Sequence, residues 1–255
     1  MTVSYQTNTL LCIQVIQRII QYKQTLQESL EHLSSPASNR NLVFTISIGA
    51  LRTYHLIDHW VRQHCKLKPK DNNLRLLLII TLYQVHFMEK KNAKAVIQNA
   101  VSCCDSLNRS WAKGLIKAVL EKSHRQAEQL TQTGNLTHSV PPWVQESLSR
   151  QYSTAETHAI YQTWLQDKPY LGIRANKPGL SADTITQQFD TLAIPHQKHP
   201  WWSSCTLIKR GDVKQVPGLS DSSLYVQDPI NQIIARIVPP LAEGAQVLDA
   251  CGAPG

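Results

Sequence analysis

The sequence has no CxxC pair. Its six cysteines are Cys12, Cys65, Cys103, Cys104, Cys205 and Cys251, and the neighbours Cys103 and Cys104 are not spaced to chelate one ion. No metal site is therefore expected, and reduced, mostly buried thiols are. Nor is there a run of the ~20 apolar residues that a membrane helix needs. The most apolar stretch, Leu74 to Met88, is broken by Arg75, Gln84 and His86 and is predicted to be a buried helix. Met1 to Asn8 is polar and lacks the basic start of a secretory signal, so a cytoplasmic location is expected. With 42% hydrophobic and 17% charged residues, wholesale disorder is excluded.

Positive charge is present and unevenly placed. Residues 1–130 carry 17 Lys and Arg against 8 Asp and Glu, whereas residues 131–255 carry 9 against 10. The excess over the first half suits contact with a polyanion such as RNA or DNA, and would equally serve solubility.

Apolar residues recur at helical spacing through that half, and no strand signal interrupts them. Leu10, Ile13, Ile16 and Ile20, then Leu26, Leu30 and Leu33, predict a helix from Leu10 to His32. Phe44, Ile48, Leu51, Leu56 and Trp60 draw the stripe of a second, in which Gly49 implies close packing against a neighbour. Asp71 is placed to cap Asn72 to Met88, whose Leu76–Ile80 segment is hydrophobic all round and predicts the central helix of a bundle. Ala93 to Ser106 follows. Ser110 is then expected to cap Trp111 to Leu130, with Trp111, Leu115, Ala118 and Val119 inward and Lys113, Lys117, Lys122 and Arg125 outward.

These elements predict a helical domain over 1–130 and a linker over 131–142. A small α+β unit is expected over 143–228, with helices from Trp143 and Ala155. Its strands are expected at Tyr170–Asn176, Cys205–Ile208 and Leu224–Val226, with a helix over Ser181–Leu192. Residues 229–255 open a further domain with a helix from Pro229. A β-prone run, Gln246–Leu248, then leads into the acidic, glycine-bearing turn Asp249-Ala-Cys-Gly-Ala-Pro-Gly255, which is the pattern of a nucleotide- or cofactor-binding loop. One strand cannot make a sheet, so a piece that begins a catalytic domain without containing it is expected.

Specific strings add to this pattern. Ile48-Gly-Ala-Leu-Arg-Thr53, Leu82-Tyr-Gln-Val85 and Lys113-Gly-Leu-Ile-Lys-Ala-Val-Leu120 resemble the NusB antitermination family. They resemble more closely the NusB-like domain of the bacterial small-subunit rRNA cytosine methyltransferases known as RsmB, Fmu or Sun. Tyr170-Leu-Gly-Ile-Arg-Ala-Asn176 is similar to that family's LRVN strand, and Val216-Pro-Gly-Leu219 with Tyr225-Val-Gln-Asp228 to its PGF and VQD segments. The last residues are similar to its loop D-x-C-A-A-P-G-G-K, with Gly252 where alanine is usual. Lys117 and Glu121 also depart from the family pattern, in place of asparagine and arginine.

The resemblance implies an all-α NusB-like bundle, a small α+β unit, and the first strand of a truncated Rossmann-like methyltransferase domain. It implies methyl transfer from S-adenosylmethionine to carbon 5 of a cytosine in 16S rRNA, by way of a cysteine thiolate that adds to carbon 6. That cysteine belongs to motifs beyond Gly255, so no catalytic residue is expected here. Cys251, Gly252, Ala253, Pro254 and Gly255 are the implied cofactor-binding residues, with Asp249 steadying the loop. RNA-binding candidates are Arg52, Lys113, Lys117, Lys122, Arg125 and Arg174, with Lys66, Lys68 and Lys70 near them. Arg174 is placed either to reach a phosphate or to pair with Asp190 or Asp228. Trp201 and Trp202 are expected in the core of the small unit, a base-stacking role being the other possibility. A monomer is expected. A stand-alone NusB-like regulator without enzymatic activity is the other reading, and it leaves residues beyond the helical domain unexplained.

Overall fold

Asp71 organises the centre of the helical part as its position predicts. Its carboxylate accepts hydrogen bonds from the backbone N–H groups of Asn73 (2.9 Å) and Leu74 (3.3 Å) and starts the helix Asn72–His86. In the computed structural model the described residues are 5–33, 37–65, 70–88, 92–126, 136–166, 170–177, 179–209, 213, 215–237, 242–248 and 250. They divide into two units, Met1–Asp167 and Lys168–Gly255.

The described elements of the first unit are all helical: α1 (Tyr5–Tyr22), α2 (Leu26–Glu31), α3 (Ala37–Arg52), α4 (Tyr54–His64), α5 (Asn72–His86), α6 (Ala93–Ser106), α7 (Lys113–Arg125), α8 (Pro142–Ser149) and α9 (Thr154–Gln166). Leu74 and every residue from Leu76 to Leu82 are buried, so α5 is the expected central helix. Cys12, Ile13, Val15 and Ile16 of α1 and Ile97, Ala100, Cys103 and Cys104 of α6 complete one core with it.

Two predicted long helices are each broken in two. Lys23 takes a left-handed backbone (φ 58°), and Thr25 then caps α2 in a reciprocal capping box with Glu28. Thr53 separates α3 from α4. The predicted stripe also shifts on α3: Val43, Ile46 and Ala50 are buried, whereas Phe44 and Ile48 are exposed. This helix is apolar on more than one side, so spacing alone does not choose its buried face.

Ser110 does not cap α7; its hydroxyl donates to Asp105, and Trp111 is 73% exposed. The inward face is instead Ala112, Ile116, Val119, Leu120 and Ser123. The domain boundary moves as well. Leu136 and Ser139, within the expected linker, are buried, and Tyr161 and Leu165 of α9 lie in the core of the first unit. Leu148 of α8 packs against the same core, so α8 and α9 belong with the bundle.

The second unit is an antiparallel sheet in the order β2-β3-β1-β4, formed by β1 (Leu171–Ala175), β2 (His196–Lys198), β3 (Thr206–Ile208) and β4 (Leu224–Val226). Ile173, Ile208 and Leu224 pack with Ile185 and Phe189 of α10 (Ala182–Thr191). Strand β2 was not foreseen, since three residues carry no usable alternation. On β1, a Cβ at Gly172 would stand 2.4 Å from the Gln227 carbonyl oxygen and 3.1 Å from Gln232 Nε2 of α11 (Pro229–Ile237). The predicted strand at Gln246–Leu248 is not formed. Val247 is 67% and Leu248 87% exposed, and neither has a partner strand among the described residues.

Candidate nucleic-acid interface

Helix α7 exposes its basic residues because its buried arc is fixed by Ile116, Val119, Leu120 and Ser123. At roughly 100° per residue, Lys113, Lys117, Arg125 and Lys122 fan across roughly half of the helix circumference rather than a single line. Two of the four are already engaged. Lys113 Nζ lies 2.6 Å from Asp105 Oδ2, and Lys117 Nζ lies 3.9 Å from Glu121 Oε1. Lys113 holds Asp105 below the usual carboxylate range, with a further bond from Ser110. Lys122 and Arg125, in the last turn, are exposed, and among the described residues no ion pair joins them. Arg52 is exposed at the end of α3, close enough to Tyr83 to oppose the upward push of burial on that phenol. Lys70 is exposed; Lys66 and Lys68 lie outside the described residues. Trp111, two residues before Lys113, adds an exposed aromatic face that its helical spacing did not suggest.

Arg174 lies opposite Tyr225 in the β1–β4 register, with its guanidinium carbon 5.9 Å from the ring centroid. Neither predicted acidic partner takes it. Asp190 Oδ1 is 3.9 Å from His196 Nε2, and Asp228 accepts the Ile230 N–H at 2.8 Å, where it starts α11. Arg174 Nε is buried and has no hydrogen-bond partner among the described residues. Trp201 corrects the expectation of a core residue: it is 79% exposed, with its ring edge-on to His199 at 5.5 Å, while Trp202 is half-buried.

The sequence pattern of the NusB family matches residues 5–125, which span α1 to α7. Residues 5–125 form a NusB domain. Beyond the NusB domain, the similarity continues. The chain is 30% identical over 230 residues to the ribosomal RNA small subunit methyltransferase B of Pseudomonas putida, covering 85% of this chain and 50% of that protein. It is 31% identical over 199 residues to the protein of the same name from Pseudomonas syringae pv. tomato, covering 74% and 42%. The chain thus spans about half the length of the relatives it matches. In fold it is similar to the crystal structure of PH0851, with a TM-score of 0.51 at 13% identity, over 93% of this chain and 56% of that one.

The NusB domain holds four of the five described cysteines, Cys12, Cys65, Cys103 and Cys104; Cys205 immediately precedes β3, and all five are buried and free of disulfides. Burial pushes the thiols of Cys12 and Cys103 up to about 12 and raises the other three. None is a ready thiolate nucleophile. The cofactor-loop candidates Asp249, Cys251, Gly252, Ala253, Pro254 and Gly255 lie outside the described residues. The residues that lead into them do not form the strand on which such a loop is normally carried, so the described residues do not fit a formed cofactor site. Among the described residues, no cluster of three or more His, Cys, Asp or Glu is placed to hold a metal, and no helix is long and apolar enough to cross a membrane.

Proposed function

We propose that this chain is the RNA-engaging part of an rRNA methyltransferase that uses S-adenosylmethionine to methylate carbon 5 of a cytosine in 16S rRNA, in the cytoplasm. The observation that carries the reading is the similarity to ribosomal RNA small subunit methyltransferase B over 85% of the chain, well past the NusB domain. A stand-alone NusB-like regulator would account for residues 5–125 but not for that continuation.

In this reading Arg52, Lys122 and Arg125 meet phosphates, since among the described residues no ion pair with a carboxylate competes for their charge. Lys113 and Lys117 contribute less. Arg174 and Tyr225 offer a cation beside an aromatic face, a combination that suits a phosphate next to an unstacked base. S-adenosylmethionine, when bound, supplies the electrophilic methyl group. The described residues bind and orient RNA, and the five described thiols take no part in attack on the base.

The test has two arms. Filter binding of a 16S rRNA fragment across a salt series should give a log–log slope of at least about −2, because three phosphate contacts release counterions at roughly 0.7 each. A slope near zero would overturn the RNA role. The full gene product should methylate cytosine carbon 5 in undermethylated 16S rRNA, read by bisulfite sequencing; methylation of another base would overturn the substrate assignment.

A further inference from the structure

Within the first unit, α4, the short turn Thr137–Ser139 and the start of α8 enclose an open cavity of about 250 Å³ that the RNA reading leaves without a role. His55, Asp58, His59, Arg62, His138 and Gln145 line it. We infer that this cavity is a binding site for a tetrahedral oxyanion, a phosphate group in particular.

The charge balance carries the argument. Among the described lining residues Asp58 is the one carboxylate, and its two oxygens are already taken: Arg62 Nη2 lies 2.5 Å from Oδ2 and Arg75 Nε 2.6 Å from Oδ1. Arg75 lies outside the lining and binds Asp58 from its other side, so two guanidiniums share one carboxylate and the group as a whole is positive before any histidine is protonated. Arg62 remains 47% exposed and keeps N–H groups for a second acceptor. The three imidazoles and the Gln145 amide supply further donors.

The histidines are arranged for an anion rather than a metal. His59 and His138 stack with ring centroids 3.6 Å apart and planes within 11° of parallel. Lone pairs in parallel stacked rings run side by side and do not converge on one ion, as metal ligation requires. The Gln63 amide lies 2.9 Å from His59 Nε2, so a neutral His59 carries its proton on Nδ1 as a donor.

Burial lowers the proton affinity of His55 and His59, and at His59 the neighbouring His138 and Arg62 lower it further. The described groups that act on them are Asp58 and Arg62 on α4, Arg75 on α5, and His138 on the turn. An anion in the cavity reverses the repulsion. Binding therefore takes up protons and tightens as pH falls.

The test uses the 255-residue chain and inorganic sulfate, whose charge is constant across the range. Sulfate is titrated at pH 6 and pH 7 while the histidine ring nitrogens are followed by long-range ¹H–¹⁵N spectra. Saturable shifts of His55, His59 and His138 are expected, with binding up to about tenfold tighter at pH 6 for each proton taken up. Arg62→Gln should weaken it by at least about tenfold, the loss of a charge-assisted bond. His138→Gln provides a second variant should the first unfold, and Arg150→Gln, at the exposed position just past the end of α8, should change nothing. Unsaturable shifts, or unaltered binding in both cavity variants, would overturn the site. A short single-stranded RNA then assigns the source: displacement of sulfate identifies a backbone phosphate, and undisturbed sulfate identifies a free anion. A chain that binds sulfate here and no RNA at all would retain this site while removing the RNA reading.

Discussion

Gly49 of α3 is seated against the ring of Tyr83 on α5: a Cβ at Gly49 would lie 1.9 Å from Tyr83 Cζ and 2.0 Å from its hydroxyl oxygen. The two residues come from separate strings of the sequence and meet where the two helices approach closely. Alanine at 49 would add about 1 kcal/mol of helix propensity. Overpacking costs about 1–3 kcal/mol in its turn, because the Tyr83 ring also lies against Phe87 at 6.1 Å. Gly49→Ala is therefore expected to destabilise the chain by up to about 2 kcal/mol in urea unfolding. In a Tyr83→Ala background the same change should be neutral or stabilising. An additive double mutant would show that the pair does not interact.

His86 supplies a pH dependence. Burial, reinforced by His124, lowers its pKa to about 4. Its Nε2 lies 3.2 Å from Ser123 Oγ, which accepts the Trp60 indole N–H at 2.7 Å. The unfolded chain takes up the proton near pH 6.5 and the folded chain only near pH 4. This contribution is thus fully present above about pH 6.5 and lost progressively down to about pH 4, by on the order of 2–3 kcal/mol. His86→Gln should flatten the stability profile over that window, measured by denaturant midpoints at half-unit steps. An unchanged profile would place the acid sensitivity elsewhere.

RNA affinity should separate the cations of α7. The pair Lys122→Gln and Arg125→Gln is expected to shallow the log–log salt slope by about 1.4, roughly 0.7 for each phosphate of single-stranded RNA that is no longer neutralised. Lys113→Gln should shallow it much less, because that ammonium is held by Asp105 at 2.6 Å. Equal effects of the two variants would mean that the ion pair opens in the complex.

Under the proposed function, S-adenosylmethionine should bind a protein of the relatives' full length and not these 255 residues. Calorimetry with S-adenosylmethionine is expected to show no saturable heat up to about 100 times a micromolar dissociation constant, since Val247 and Leu248 form no strand to support the loop. Micromolar binding by this chain would refute that expectation.

Much of the helical unit was legible because its signals are local. Asp71 ahead of an apolar run reads as a cap, and a segment apolar on all sides, Leu76–Ile80, reads as a centre. The glycine in α3 announced a close neighbour without naming Tyr83. Legibility failed where two faces of one helix were both apolar, as with Phe44 and Ile48 against Val43 and Ile46. It failed again where a cap was hidden inside a periodic run, as with Thr25 and Glu28. The basic residues of α7 were correctly placed outside, but their ion pairs with Asp105 and Glu121 depend on side-chain reach.

By itself, then, the sequence determined the order of elements, the central helix, the basic bias of the first half and the resemblance to a methyltransferase family, because these depend on composition and short-range spacing. Tertiary structure alone decided that α8 and α9 join the bundle, that Trp111 and Trp201 face outward, and that Asp190 and Asp228 leave Arg174 to Tyr225. It also gathered His55, His59 and Arg62 with His138, which is separated from them by more than seventy residues of chain. Such pairings follow from which surfaces compete for burial, and that competition exists only once the chain has folded.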